Sequence, residues 1–173
     1  DREVVLEGFH ACKHAIRFAA NISELVTPNK AELASFVQQY AQDIQPALDT
    51  LVQEISAEAF AEYSDTRIRT PLAGKALVPR AEEYLVASNK ILLLLDNPRD
   101  LENIGAVVRV AAGLELAGVC ATGEHDPWHK NAVRASQGAH FALPVIHLEA
   151  QLSSDEILGE REVWVFDESG TDL

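Results

Sequence analysis

The sequence contains no methionine, an initiator included, so a trimmed piece of a longer protein is expected. It has two cysteines, Cys12 and Cys120, far apart and without a CxxC spacing, which suits a reducing compartment and a cytoplasmic protein. Long apolar runs are missing: the longest, residues 91–95, falls well short of the roughly 20 residues that a membrane-spanning helix needs. The charged opening Asp1-Arg2-Glu3 has no apolar stretch of signal-peptide type behind it. No GxGxxG run follows a strand and no GxxxxGK[ST] run occurs, which leaves dinucleotide-binding and NTPase readings without support. Basic residues are scarce. Residues 1–88 carry 8 basic and 13 acidic side chains and residues 89–173 carry 6 and 14, for a formal net charge of −13. Nucleic-acid binders draw much of their affinity from a basic face, so composition alone argues against that class.

What is present is a core: 47% of the residues are hydrophobic and intrinsic disorder is excluded. Residues 6–20 place Phe9, Cys12, Ile16 and Ala19/Ala20 at helical spacing. Residues 23–27 read as a strand, 30–45 as a helix, and 50–55 as a strand. Ser56 caps a short helix, and 72–78 read as a further strand. The pattern turns charged and aperiodic between Pro79 and Asn89. The expected organisation is therefore a small domain over residues 1–80, a linker over 81–89 that hinges two independently folded halves, and a second domain over 90–173. In the second half strands are expected at 90–95, 116–121, 141–147 and 163–166, and helices at 101–113, 125–136 and 152–160. The fold class is α/β, the second part a mostly parallel sheet covered on both faces.

The informative stretch is ILLLLDNPRDLENIGAVVRVAAG, residues 91–113. Asp96-Asn97-Pro98 breaks a strand at its carboxyl end, where open α/β sheets place their ligands. The helix that follows is apolar almost all round, with Arg109 at its centre. Helical geometry puts Glu102, Gly105 and Gly113 on the face of Arg109. Two readings are open from the residues: a core helix whose arginine reaches solvent or pairs Glu102, or a site with room for something planar or anionic beside Arg109.

The run L-D-N-P-R-D-L-E-N-I-G-A-V-V-R-V-A-A-G, with Asn103, Gly105, Ala106 and Arg109, resembles the first motif of the SpoU/TrmH family of RNA ribose 2′-O-methyltransferases, in the SPOUT superfamily. Arg134-Ala135-Ser136-Gln137-Gly138-Ala139 is similar to the A-S-x-G-A segment of that family. The opening V-L-E-G-F-H-A-C-K-H-A-I resembles the start of an RNA-binding domain that precedes the catalytic domain in many members. The resemblance implies methyl transfer from S-adenosylmethionine to a ribose 2′-hydroxyl of ribosomal or transfer RNA, by a homodimer with a knotted catalytic domain. It implies catalytic roles for Arg109 and Asn103 and favours a substrate-side loop at Ser136 and Gly138, to which the nearby Lys130 and Arg134 would add charge for RNA contact. The second and third motifs of the family, a G-x-E-x-x-G and an S-L-N run that build the knot and hold the cofactor, do not follow the A-S-x-G-A segment within residues 1–173; the G-x-E-x-x-G pattern at 113–118 falls before it. The cofactor site and the knot are accordingly expected outside this chain, and the chain alone is expected to be inactive. A guanidinium stays protonated near neutrality (pKa above about 12), so orientation of the ribose and stabilisation of a developing alkoxide suit Arg109 better than proton abstraction.

Other signals are weaker. His10/His14 and His125/His129 are pairs four apart that can share a metal, but neither forms an HExxH and no third ligand stands out. Trp128, Lys130 and Arg134 offer an aromatic and two cations to RNA, or ordinary packing. Cys120 at a strand end is expected to be buried. Two rival functions stay open: a non-catalytic RNA-binding or ribosome-assembly module on the same scaffold, and a small-molecule enzyme, which the acidic charge would suit.

Overall fold

The computed structural model describes residues 2–64, 68–80, 89–148 and 161–166. A four-stranded sheet carries the first half: β1 (Glu3–Glu7), β2 (Ile22–Thr27), β3 (Val52–Glu54) and β4 (Ala73–Leu77), in the order β1-β4-β2-β3. β4 runs antiparallel to both β1 and β2, and only β2 and β3 are parallel. Around it lie α1 (Phe9–Arg17), α2 (Lys30–Tyr40), a 3-10 turn at Gln42–Ile44, α3 (Gln45–Leu51) and α4 (Ala57–Ala61). Local chemistry sets several of these boundaries. The Asn29 side chain accepts from the amides of Ala31 and Glu32 to start α2, and Ser56 accepts from the amide of Ala59 to start α4, as its sequence position predicts.

The second half holds three parallel strands in the order β5 (Leu92–Leu95), β6 (Gly118–Ala121), β7 (Val145–His147), with α5 (Leu101–Gly113), α6 (Lys130–Ala135) and a 3-10 turn at Ala139–Ala142. All four residues of β6 are buried, as a central parallel strand requires. One hydrophobic cluster joins the halves: Leu6, Phe9, Cys12 and Leu25 share it with Ile104, Val108, Val133 and Val145.

Several expectations need correction. The sequence reading extends the first helix back to residue 6, whereas residues 3–7 form β1, whose Val4 and Leu6 pack into the core. The strand expected at 50–55 is shortened to three residues because Pro46 opens α3, which takes Thr50 and Leu51. The helix expected over 125–136 keeps only 130–135: the Asp126 side chain accepts from the Trp128 amide and His129 caps the helix from just outside. A 3-10 turn fills the first part of the strand expected at 141–147. Residues 163–166 are not in a strand, and Val163, Trp164, Val165 and Phe166 are exposed. The expected linker falls almost wholly, and the expected helix over 152–160 wholly, outside the described residues.

Candidate active site and the joint between the halves

α5 begins where β5 ends. Asn97 adopts a left-handed backbone (φ 47°), and its amide donates to Thr122 Oγ1 (2.8 Å), whose own hydroxyl donates to Asp96 (2.9 Å). Asp100 then accepts from the amides of Glu102 (2.7 Å) and Asn103 (3.0 Å), a side-chain cap that fixes the first turn of α5. The buried side of α5 is Ile104, Gly105, Val108 and Ala111; Asn103, Ala106, Arg109 and Val110 are exposed. The helix is thus two-faced, and Gly105 lies opposite to expectation, against α6. A Cβ there would collide with the Ala132 carbonyl oxygen and approach Ala135 Cβ to 2.6 Å, so the glycine is what lets the two backbones meet. Gly113 has open space beside it.

Arg109 makes no hydrogen bond or ion pair among the described residues. Glu102, the partner offered by the packing interpretation, pairs instead with Arg134 (Nη2 to Oε1, 3.8 Å). The charge of Arg109 is felt across the joint. Burial, Lys13 and then Arg109 lower the pKa of His10 on α1, which leaves its imidazole neutral at pH 7.

The segment 134–139 meets the first half. Glu7, at the end of β1, accepts from Arg134 Nη1 (3.0 Å) and has Lys130 Nζ 3.7 Å from its other oxygen, while its side chain is 3% exposed. His14 Nδ1 donates to the Gln137 carbonyl (2.6 Å), and Arg2 pairs with Asp126. Gln137 and Gly138 both have left-handed backbones (φ 59° and 81°), and a Cβ on Gly138 would lie 2.6 Å from the Ala11 carbonyl oxygen. Gly138 is therefore where α1 seats on the second half. Ser136 is buried, 1% exposed, with its Oγ 2.7 Å from His140 Nδ1. The His140 Nε2–H donates to the Pro127 carbonyl (2.8 Å), so the Ser136 hydroxyl donates to Nδ1. Of the expected substrate-side residues, Lys130 and Arg134 border accessible surface, whereas Ser136 and Gly138 are occupied in building the joint.

The remaining candidates resolve by packing. Trp128 is a core residue, 3% exposed, with its indole N–H donating to the Val145 carbonyl and its ring edge-on to His140 and Phe141. Among the described residues no group of three His, Cys, Asp or Glu has metal-ligating geometry. His10 contacts Lys13, His14 contacts Gln137, His125 contacts the Arg99 carbonyl and His129 caps α6. Both cysteines are free and buried, and burial lifts the Cys120 thiol to about 11. The sequence reading gave Glu7 no part in the joint, and nothing in its local sequence marks it.

The described residues do not by themselves suit S-adenosylmethionine. At the carboxyl ends of β5–β7 the polar groups satisfy one another: Thr122 with Asp96 and Asn97, and His147 Nε2 with the Gly123 carbonyl (2.8 Å). Asn97 packs over Gly123, with its Cα 2.9 Å from where a Cβ would be.

Over 158 residues the chain is 27% identical to the Bacillus subtilis 23S rRNA (guanosine(2553)-2′-O)-methyltransferase RlmP, covering 90% of this chain and 58% of that protein. Over 144 residues it is 38% identical to the human mitochondrial rRNA methyltransferase 3, covering 82% of this chain and 32% of that one. It therefore spans between about a third and three fifths of the length of these relatives. Its fold is that of the SpoU methyltransferase AviRb from Streptomyces viridochromogenes, solved in complex with AdoMet (TM-score 0.68, 19% identity, 84% of this chain and 55% of that one). An rRNA methyltransferase from Sinorhizobium meliloti superposes similarly (TM-score 0.63, 24% identity, 85% and 55%). Residues 90–172, which contain α5 and the joint segment, match the model of the SpoU rRNA Methylase family, and this second half of the chain belongs to that family.

Proposed function

We propose that the protein containing this chain transfers a methyl group from S-adenosylmethionine to a ribose 2′-hydroxyl of ribosomal or transfer RNA, with Arg109 acting on the hydroxyl and Asn103 shaping the site beside it. The observation that carries this reading is Arg109 itself: an exposed guanidinium without an ion-pair partner among the described residues, at the family motif's position on a rigidly capped helix. An arginine kept for an ion pair would have its partner beside it, and among the described residues Arg109 has none.

S-adenosylmethionine would supply the electrophilic methyl group; its site is taken to be formed by the family's second and third motifs, which do not follow the A-S-x-G-A segment within residues 1–173. The part played by this chain is positioning and electrostatics. The planar guanidinium of Arg109 donates to the ribose oxygen and the adjacent phosphate, and its fixed charge stabilises the oxygen as it loses its proton. A homodimer is supported by the stripe beside Arg109: exposed Ala106 and Val110 (60%) on α5, followed at the same spacing by Leu114 (66%) just past its end.

The test is transfer of labelled methyl groups to ribosomal and transfer RNA by the full-length protein and its Arg109→Ala variant. A loss of about 10²–10³ in turnover is expected for removal of one preorganised donor. Normal transfer by Arg109→Ala at matched folded fraction would overturn the assignment. Tight RNA binding without any transfer by the full-length protein would favour the assembly-module reading.

A further inference from the structure

The chain carries a net charge of −13, yet one cleft between its halves is cationic. This cleft, about 340 Å³, is lined by the first turn of α1 with His10, by Arg69 and Thr70 of the segment leading to β4, and by Arg134 and Gln137 of the joint. Its volume is at the low end of what small-ligand sites enclose, enough for about one nucleotide unit.

The charges around the cleft do not cancel. Arg69 and Arg134 line it, Lys130 shares Glu7 with Arg134, Lys13 contacts His10, and Arg109 acts on His10 from α5. Among the described residues three carboxylates stand against these five cations, one of them Asp43, which acts on Lys13 from outside the cleft. Glu7 is buried and shared by Arg134 and Lys130; Glu102 is largely solvated and 3.8 Å from Arg134. Arg69 is exposed and has no hydrogen bond or ion pair among the described residues. Arg134 lines the cleft while giving one N–H to Glu7 at 3.0 Å, and its side chain is 37% exposed. Thr70 Oγ1 accepts from the Phe9 amide (2.8 Å), which leaves its hydroxyl proton to donate. These donors match the anionic oxygens of a phosphate, and planar forks from two sides of a cleft suit a phosphodiester in a strand passing through.

We propose that this cleft holds a backbone phosphate of the RNA strand, gripped from both halves by Arg69 and Arg134, while the target ribose lies at the adjoining face of α5. The inference rests on the methyltransferase reading and adds where an acidic protein finds its electrostatic hold on RNA. The two sites adjoin because Arg134 also reaches Glu102 on α5 and His10 senses Arg109. The first half then does more than tether the catalytic half: it provides one jaw of the clamp. A larger cleft, about 820 Å³, lies beside Phe18, Arg80 and Phe141 but has no residue of α5 or α6 in its lining.

The experiment is fluorescence anisotropy of a labelled single-stranded RNA of about a dozen nucleotides with the full-length protein over a salt series, competed with inorganic phosphate. Arg69→Ala is the informative variant, because its side chain is exposed and holds no hydrogen bond or ion pair among the described residues. It is expected to bind roughly tenfold more weakly, and its slope of log K against log salt should be shallower by about 0.7, the loss of one phosphate contact to a single strand. Arg17→Ala, whose guanidinium is held by Asp43 outside the cleft, should bind as the parent does. Parental affinity and slope for Arg69→Ala would overturn the proposal. So would displacement of the RNA by inorganic phosphate at concentrations like those of the strand itself, which would mark a small-anion site. Failure here is separable from failure of the function: Arg69→Ala binding normally while Arg109→Ala loses methyl transfer removes only the cleft.

Discussion

Glu7 and Arg134, 127 residues apart in sequence, meet at 3.0 Å where the end of β1 faces α6, with the carboxylate 3% exposed and the guanidinium 37%. This asymmetry sets the cost of removing either partner. Arg134→Ala leaves a buried carboxylate beside a single lysine, and losing one partner of a buried pair costs about 3–5 kcal/mol. Glu7→Gln leaves two half-exposed cations that water can reach, and the amide still accepts from Arg134, so a cost nearer about 1 kcal/mol is expected. Urea unfolding of both variants checks the order; equal losses would show that the pair is not what anchors the joint.

The contact between α5 and α6 predicts opposite effects for two glycines on one helix. Gly105→Ala drives a methyl into the Ala132 carbonyl and should destabilise by about 1–3 kcal/mol. Gly113→Ala meets open space in the last turn and should stabilise by up to about 1 kcal/mol through helix propensity. Thermal melts of the two variants decide it, and a neutral Gly105→Ala would mean that the helices can move apart freely.

His140 makes stability depend on pH. Burial holds its folded pKa at about 4, against an ordinary value of 6.5, and the N–H that it donates to the Pro127 carbonyl offsets this only in part. Between these values the unfolded chain binds the extra proton, so stability falls as pH drops from 6.5 to 4 and this group contributes no slope above 6.5. The full effect is on the order of 3 kcal/mol. Chemical denaturation from pH 7 to 4 should show His140→Gln with a shallower decline than the parent; parallel curves would locate the acid sensitivity elsewhere.

Arg109→Lys separates charge from geometry in the proposed reaction. An ammonium keeps the charge but lacks the planar fork, so single-turnover methyl transfer by full-length Arg109→Lys should stay close to that of Arg109→Ala. Its melting temperature should be unchanged, since Arg109 is exposed and makes no ion pair among the described residues. A lower melting temperature with an unaltered rate would make Arg109 structural.

Residues 1–173 alone should show no binding of S-adenosylmethionine at micromolar concentrations. The polar groups at the carboxyl ends of β5–β7 are already paired, and Asn97 covers Gly123. Titration calorimetry checks this; a micromolar dissociation constant would place the cofactor site within residues 1–173.

The sequence by itself determined what depends on neighbours three or four residues away. The span of α5, 101–113, is legible because Asp100 caps it and its apolar residues recur at helical spacing, and the motif on it identifies Arg109 and Asn103. The Ser56 cap and the positions of β2, β4 and β6 are legible for the same reason. Tertiary structure alone decided which face of α5 is open. Gly105 shares helical phase with Arg109 on a coarse wheel but turns inward, because α6 approaches closely enough to exclude a Cβ. It also decided that Trp128 belongs to the core and Ser136 to the joint, since their partners Val145 and His140 are placed by chain paths and not by periodicity. Above all it brought Glu7, Arg69 and Arg134 around one cleft. Charge patterning along the chain shows an acidic protein throughout, whereas the local field depends on which side chains converge, and contacts spanning 127 residues have no local signature.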